Sequence, residues 1–360
     1  MILNSLLQQA INNFDKKKFE KSIQLFEKIL EKEPNNSEII TNKATCLAEL
    51  GRYEESIEQL EKVLNYNPDD FDGWYNKATT LYDMGKYEDA LDGFDHALKI
   101  NSDDTNALCN KANVFVALGR HDDAISTYKD ALKINPGDIE ILNNIGIVYA
   151  GEKQHYRAIE YFESALNIKK NDIDSLCNLG NSLLEIEKFR LSYECFKQAV
   201  KHDPNDFDAL FRLGIACNNL KKPEEALMHF TTILRNEKDN TDAIINKGYS
   251  LHLLRKYKQA ILCFDKILKE NPEDMNSLYL KAKSTVKQQN YKQTCVLISK
   301  LLQLERKNDH SNHEHDEHEH DEHEHEHEHE HEHFLNKIKK DSDFIGLKND
   351  INFKILIHDS

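Results

Sequence analysis

Apolar residues recur along most of this chain with the three-and-four spacing of one helix face, interrupted by short polar turns. In "TNALCNKANVFVALGRHDDAISTYKDALKINPGD", residues 105–138, Leu108, Ala112 and Phe115 share one face of a first helix. Ala124, Tyr128 and Ala131 share one face of a second. The turn between the helices carries Gly51, Gly85 or Gly119 in early blocks, whereas later blocks place Lys or Glu there, at a modest cost to the helix end. Pro34, Pro68, Pro136, Pro204 and Pro272 stop second helices, and nearby Asp or Asn residues can cap the first helix that follows.

The block repeats. Residues 3–308 divide without a gap into nine units of 34 residues: 3–36, 37–70, 71–104, 105–138, 139–172, 173–206, 207–240, 241–274 and 275–308. The eighth position is always small (Ala10, Ala44, Ala78, Ala112, Gly146, Gly180, Gly214, Gly248, Ala282), and so is the twentieth (Ser22, Ser56, Ala90, Ala124, Ala158, Ser192, Ala226, Ala260, Thr294). The twenty-fourth is large: Phe26, Leu60, Phe94, Tyr128, Phe162, Phe196, Phe230, Phe264 and Ile298. Small residues let two antiparallel helices approach, and the large one fills the gap to the next pair. A single pair cannot bury its apolar face, so the units must stack.

At these positions the chain resembles the tetratricopeptide repeat (TPR) family. Its usual tryptophan appears once, as Trp74. The resemblance implies an all-α, right-handed superhelical solenoid of antiparallel helix pairs, nine of which make roughly one turn. It also implies a concave groove lined by the second, fifth, sixth, ninth, twelfth and thirteenth positions of the first helices.

On that reading, the sixth position forms a row along the groove: Asn42, Asn76, Asn110, Asn144, Asn178, Arg212 and Asn246, between Gln8 and Leu280. A side-chain amide both donates and accepts, so it can pair with the backbone of an extended peptide of any sequence. At about 1 kcal/mol net per hydrogen bond, six such bonds barely offset the cost of association. Side-chain anchors are therefore expected, and Tyr75, Tyr82, Phe211, Tyr249 and Tyr279 are the candidates. The second position is mostly acidic (Glu38, Asp72, Glu140, Asp174, Asp208, Asp242), which suits a Lys- or Arg-bearing peptide but equally a helix first turn. Members of the family that clamp a chaperone's C-terminal carboxylate need Lys, Asn and Lys at places where this chain has Asn143, Ile147 and Asp208, which argues against that partner.

Composition narrows the function. The formal net charge is −16, yet residues 309–360 alone hold 16 acids and 5 bases, so the repeats are nearly balanced. No stripe of Lys and Arg is available to displace counterions, which excludes a nucleic-acid partner. No apolar run approaches a membrane span, and the N-terminus lacks a signal-peptide pattern, so a cytoplasmic location is expected. Seven cysteines (Cys46, Cys109, Cys177, Cys195, Cys217, Cys263, Cys295) form no CxxC pair and read as reduced core thiols. Nucleotide-binding, nucleophile-elbow and zinc-protease motifs are absent, so no enzyme is expected.

One segment stands apart. From His310 to His333, eleven histidines (His310, His313, His315, His318, His320, His323, His325, His327, His329, His331, His333) alternate with eleven acids. Such a tract can gather imidazoles around Ni²⁺ or Zn²⁺ without any fold to support it, although nothing else requires a cofactor. A disordered loop over 309–333 is expected, followed by capping helices over 334–360 with Ile338, Phe344, Leu347, Phe353 and Leu356 as apolar anchors. The leading functional expectation is a non-enzymatic scaffold holding a partner segment in the groove. The alternatives are a divalent-metal buffer or metallochaperone built on the tract, and a regulatory subunit of an enzyme.

Overall fold

In a computed structural model, residues 2–313, 334–350 and 353 are described. The elements are α1 (Ile2–Asp15), α2 (Phe19–Leu30), α3 (Ser37–Glu49), α4 (Tyr53–Tyr66), α5 (Phe71–Asp83), α6 (Tyr87–Ile100), α7 (Thr105–Ala117), α8 (His121–Ile134), α9 (Ile139–Gly151) and α10 (His155–Ile168). They continue as α11 (Ile173–Glu185), α12 (Phe189–His202), α13 (Phe207–Asn219), α14 (Pro223–Asn236), α15 (Thr241–Leu253), α16 (Tyr257–Glu270), α17 (Met275–Lys287), α18 (Tyr291–His313) and α19 (Phe334–Lys340), ending in a 3₁₀ helix over Ser342–Asn349. The fold is all-α, and among the described residues there is no strand. The chain forms two compact units, residues 1–182 and 183–360.

Local chemistry sets each boundary. The first helices α3, α5, α7, α9, α13, α15 and α17 begin at Asn36, Asp70, Asp104, Asp138, Asp206, Asn240 and Asp274. Each of these side chains accepts from the backbone N–H three residues on, satisfying an otherwise orphaned donor. Asp172 serves α11 in the same way through Ser175 N–H, at 3.2 Å. First helices end at a residue in the left-handed region: Gly51, Gly85 and Gly119, with φ of 73°, 73° and 70°, but also Lys17, Lys153, Glu187, Lys221, Arg255 and Gln289 at 54–59°. The amide after each left-handed residue reaches back five positions, as in Arg52 N to Leu47 O at 2.9 Å, so the Schellman geometry survives even without glycine.

Within residues 1–182, second helices pack on the first helix that follows, and first helices of neighbouring pairs also touch, α3 on α5 and α5 on α7. The first-helix layer is therefore the inner one. The core alternates small and large residues as the repeat requires: Ala44, Ala78 and Ala112 are fully buried beside Leu60, Phe94 and Tyr128. Lys43, Lys77 and Lys111 cross to Glu27, Glu61 and Asp95 of the preceding pair at 2.8, 2.9 and 2.6 Å, an ion pair repeated at three successive joints.

Residues 183–360 repeat the arrangement, with α13 on α15 and α15 on α17 in the inner layer. At the eighth position Gly214 and Gly248 replace alanine, as Gly146 does in residues 1–182, while α17 keeps Ala282. A Cβ on Gly214 or Gly248 would lie 2.6 Å from the ring of Phe230 or Phe264, so the missing methyl is what admits those rings. α18 continues to His313, five residues beyond the expected unit boundary at 308, and Arg306 stands where five other units have proline. α19 and the 3₁₀ helix bring Ile338, Phe344 and Leu347 into one buried cluster with Leu278, Ile298, Leu301 and Leu302, which Phe353 joins from beyond the 3₁₀ helix, while Leu356 lies outside the described residues.

Candidate binding face

The first helices α3, α5, α7, α9 and α11 carry Asn42, Asn76, Asn110, Asn144 and Asn178, and all five are half-buried. Part of their hydrogen-bonding capacity is used at home. Asn76 Nδ2 donates to Asp72 O one turn back at 2.8 Å, and its Oδ1 accepts from Thr45 Oγ1 at 3.4 Å. Asn110 Nδ2 donates to the hydroxyl of Tyr75 at 2.8 Å, binding one pair to the previous one. Each amide keeps a second N–H. Tyr75 is stacked on Phe71 and set edge-on to Phe94, both at 5.9 Å, while Tyr82 lies 5.6 Å from Tyr87. Both tyrosines are half-buried and held by neighbouring rings.

The charge of this layer is one-sided. Glu38, Asp72, Glu140 and Asp174 at the second position are exposed, as are Glu49 and Asp83 at the thirteenth. The lysines of the same helices are committed to the joints. Burial, and then the charge of Glu49, push the Asp83 carboxyl above the usual carboxylate range. Sequence reasoning missed Glu49 and Asp83. Their shared thirteenth position, 34 residues apart, was the available signal.

In residues 183–360 the equivalent face differs. Arg212 is exposed, and Asn246 is half-buried with its Nδ2 donating to Asp242 O at 2.9 Å. Phe211 is edge-on to Phe230 at 5.7 Å, and Tyr249 lies parallel to the His252 ring at 6.5 Å. Tyr279, expected as a groove anchor, is only 6% exposed because the C-terminal segment lies on it. Its hydroxyl donates to Asp341 Oδ2 at 2.5 Å, its ring meets Phe344, and it offers no surface to a partner. Around it the chain builds a clasp. Lys283 Nζ reaches Asp341 at 2.8 Å and Asp343 at 3.1 Å, Lys287 reaches Asp343 at 2.9 Å, and His252 Nε2 reaches Asp343 at 3.2 Å. The hydrogen bond from His252, reinforced by both lysines, holds the Asp343 carboxyl far below the usual range. Burial opposes the same change at Asp341, but hydrogen bonds from Lys283 and Tyr279 outweigh it.

Burial pushes the Cys46 thiol up to about 11 and those of Cys109 and Cys217 up to about 12, so none supplies a thiolate at neutral pH. Among the described residues no group of three or more His, Cys, Asp or Glu could hold a metal ion, and no helix is long and apolar enough to cross a membrane. His310 and His313 fall on the last turns of α18, and His315, His318, His320, His323, His325, His327, His329, His331 and His333 lie outside the described residues.

Family profiles described as tetratricopeptide repeat match residues 13–79, 70–137, 103–171, 177–243 and 241–274. The chain belongs to the tetratricopeptide repeat family. Among solved structures, the C-terminal part of a TPR repeat-containing protein from Cytophaga hutchinsonii is 16% identical with a TM-score of 0.57, covering 67% of this chain and 98% of that one. The APC/C hetero-tetramer Cut9–Hcn1 contains a chain 18% identical with a TM-score of 0.52, covering 78% of this chain and 55% of that one. YrrB, described as a TPR protein with an unusual peptide-binding site, is 22% identical with a TM-score of 0.43, covering 51% of this chain and 95% of its own. The first two show the TPR fold. No curated protein matches the chain significantly. TPR proteins in general are scaffolds that bind protein or peptide partners and are typically not enzymes.

Proposed function

We propose that this TPR chain is a non-enzymatic scaffold that holds an extended segment of a partner protein against the inner face of its first helices. The observation that carries the reading is the row of half-buried amides from Asn42 to Asn178, one per repeat. Packed helices lie about 8–10 Å apart, and an extended chain in polyproline II geometry advances about 9 Å in three residues. One amide therefore meets the partner backbone once in every three residues, whatever the side chains. Within residues 183–360, Arg212 and Asn246 stand at the same repeat position, with Phe211 and Tyr249 as half-buried aromatics on the same helices.

The test begins with selection of random twelve-residue peptides on the full chain. The selected peptides are then measured by fluorescence anisotropy on the Asn110→Ala/Asn144→Ala variant. Two hydrogen bonds at about 1 kcal/mol each correspond to a loss of roughly five- to thirtyfold in affinity. Equal affinity for both proteins would mean that the amides are structural and the binding face lies elsewhere.

A further inference from the structure

The clasp shows that this chain already seats a segment on an inner face. Asp341–Phe344, Asp-Ser-Asp-Phe, lies across α17 with its carboxylates on Lys283 and Lys287 and its ring on Tyr279. Those three residues are four apart and share one face of the helix. The 34-residue register gives each a counterpart in the first unit. Lys287 corresponds to Glu49 on α3 and Asp83 on α5, and Tyr279 corresponds to Tyr75 on α5. Lys283 falls on Thr45 and Thr79, so on α5 the aromatic is kept, one of the two cations becomes a carboxylate and the other becomes neutral.

We infer that the inner face of α3 and α5 is a docking site for a charge-inverted segment of a partner: two Lys or Arg residues with one residue between them, followed by an aromatic. This deepens the scaffold reading and rests on it. Three features favour that occupant. Glu49 and Asp83 are exposed and take part in no ion pair among the described residues, while Lys43 and Lys77 are tied to the joints. Glu38 and Asp72 add two further exposed carboxylates on the same helices. Tyr82, next to Asp83 and half-buried, offers a ring face to a guanidinium or ammonium.

The probe is a fluorescein-labelled peptide containing Lys-Ser-Lys-Phe with a photo-cross-linking residue next to the phenylalanine. Asp-Ser-Asp-Phe and Gln-Ser-Gln-Phe peptides are the comparisons, all on the full chain at 50 and 300 mM salt. The lysine peptide should bind tightest, weaken with salt, and cross-link within residues 37–117. Glu49→Gln/Asp83→Asn should lower its affinity about tenfold, which is about 1.4 kcal/mol, with helical content unchanged. Cross-links confined to residues 309–333, where twelve other carboxylates lie, would overturn the inference. So would equal affinity for the lysine and glutamine peptides. If the glutamine peptide binds and is weakened by Asn110→Ala/Asn144→Ala alone, the charge inference fails and the scaffold reading stands. If none of the three peptides binds within residues 37–117, the charge inference fails, and the scaffold reading is decided by the selected-peptide titration.

Discussion

Replacing Asp343 by Asn separates charge from shape at the C-terminal clasp. The carboxylate accepts from His252 at 3.2 Å, Lys283 at 3.1 Å and Lys287 at 2.9 Å, and its side chain is 18% exposed. Lys283 is itself only 15% exposed but retains Asp341 at 2.8 Å, so its charge is not left alone. A single charge-assisted hydrogen bond contributes about 1.5–3 kcal/mol, and stranding a buried charge costs about 3–5 kcal/mol. Partial exposure and the surviving Asp341 place the loss near the lower figure, about 2 kcal/mol. Amide hydrogen exchange read by mass spectrometry localises it. Exchange across α17 and the Leu297–Leu304 stretch of α18 should speed up about thirtyfold, while α3 to α7 stay unchanged. Acid should mimic the variant. Asp341 and Asp343 are both depressed in the folded state, so their contribution is complete above the unfolded carboxylate value of about 3.9 and is lost as pH falls through the folded values. Protection of the C-terminal pair should therefore decline below about pH 4, and less steeply in the variant. Exchange altered less than twofold, or altered equally in both units, would refute the clasp as an anchor.

The packing makes two further predictions. Gly214→Ala places a methyl 2.6 Å from Phe230, so overpacking of about 1–3 kcal/mol should exceed the roughly 1 kcal/mol gained in helix propensity. Adding Phe230→Leu, which recreates the Ala44–Leu60 pair of the second repeat, should recover part of the loss in urea denaturation followed by circular dichroism. Lys221→Gly relieves a left-handed residue at φ 58° and should raise the urea midpoint by the equivalent of about 0.5–1 kcal/mol, whereas Gly85→Ala should lower it similarly.

Much of this architecture was legible because the repeat forces each local choice to recur. The small eighth and large twenty-fourth positions, the Asp and Asn caps, and the turn at Lys153 or Glu187 could all be placed by register alone. What escaped was contact that breaks the repeat. Tyr279 occupies the same position as Tyr75, and nothing in its own unit distinguishes a free ring from a covered one. Only Asp341, Asp343 and Phe344, more than fifty residues away, decide it. The joint pairs from Lys43 to Glu27 and from Lys77 to Glu61 escaped for a related reason. They link consecutive units, whereas helix periodicity reports only on faces within one. The amide row was legible as a row, but not the local bonds of Asn76 and Asn110, which depend on side-chain rotation.

The most direct test of the inner face as a partner-binding surface is the anisotropy titration of a selected peptide on wild type and on Asn110→Ala/Asn144→Ala, with and without EDTA. A loss of about five- to thirtyfold in the variant, unaffected by chelator, is the predicted result. Unchanged affinity in the variant, or binding abolished by EDTA in the wild type, would contradict it and move the binding site away from the first helices.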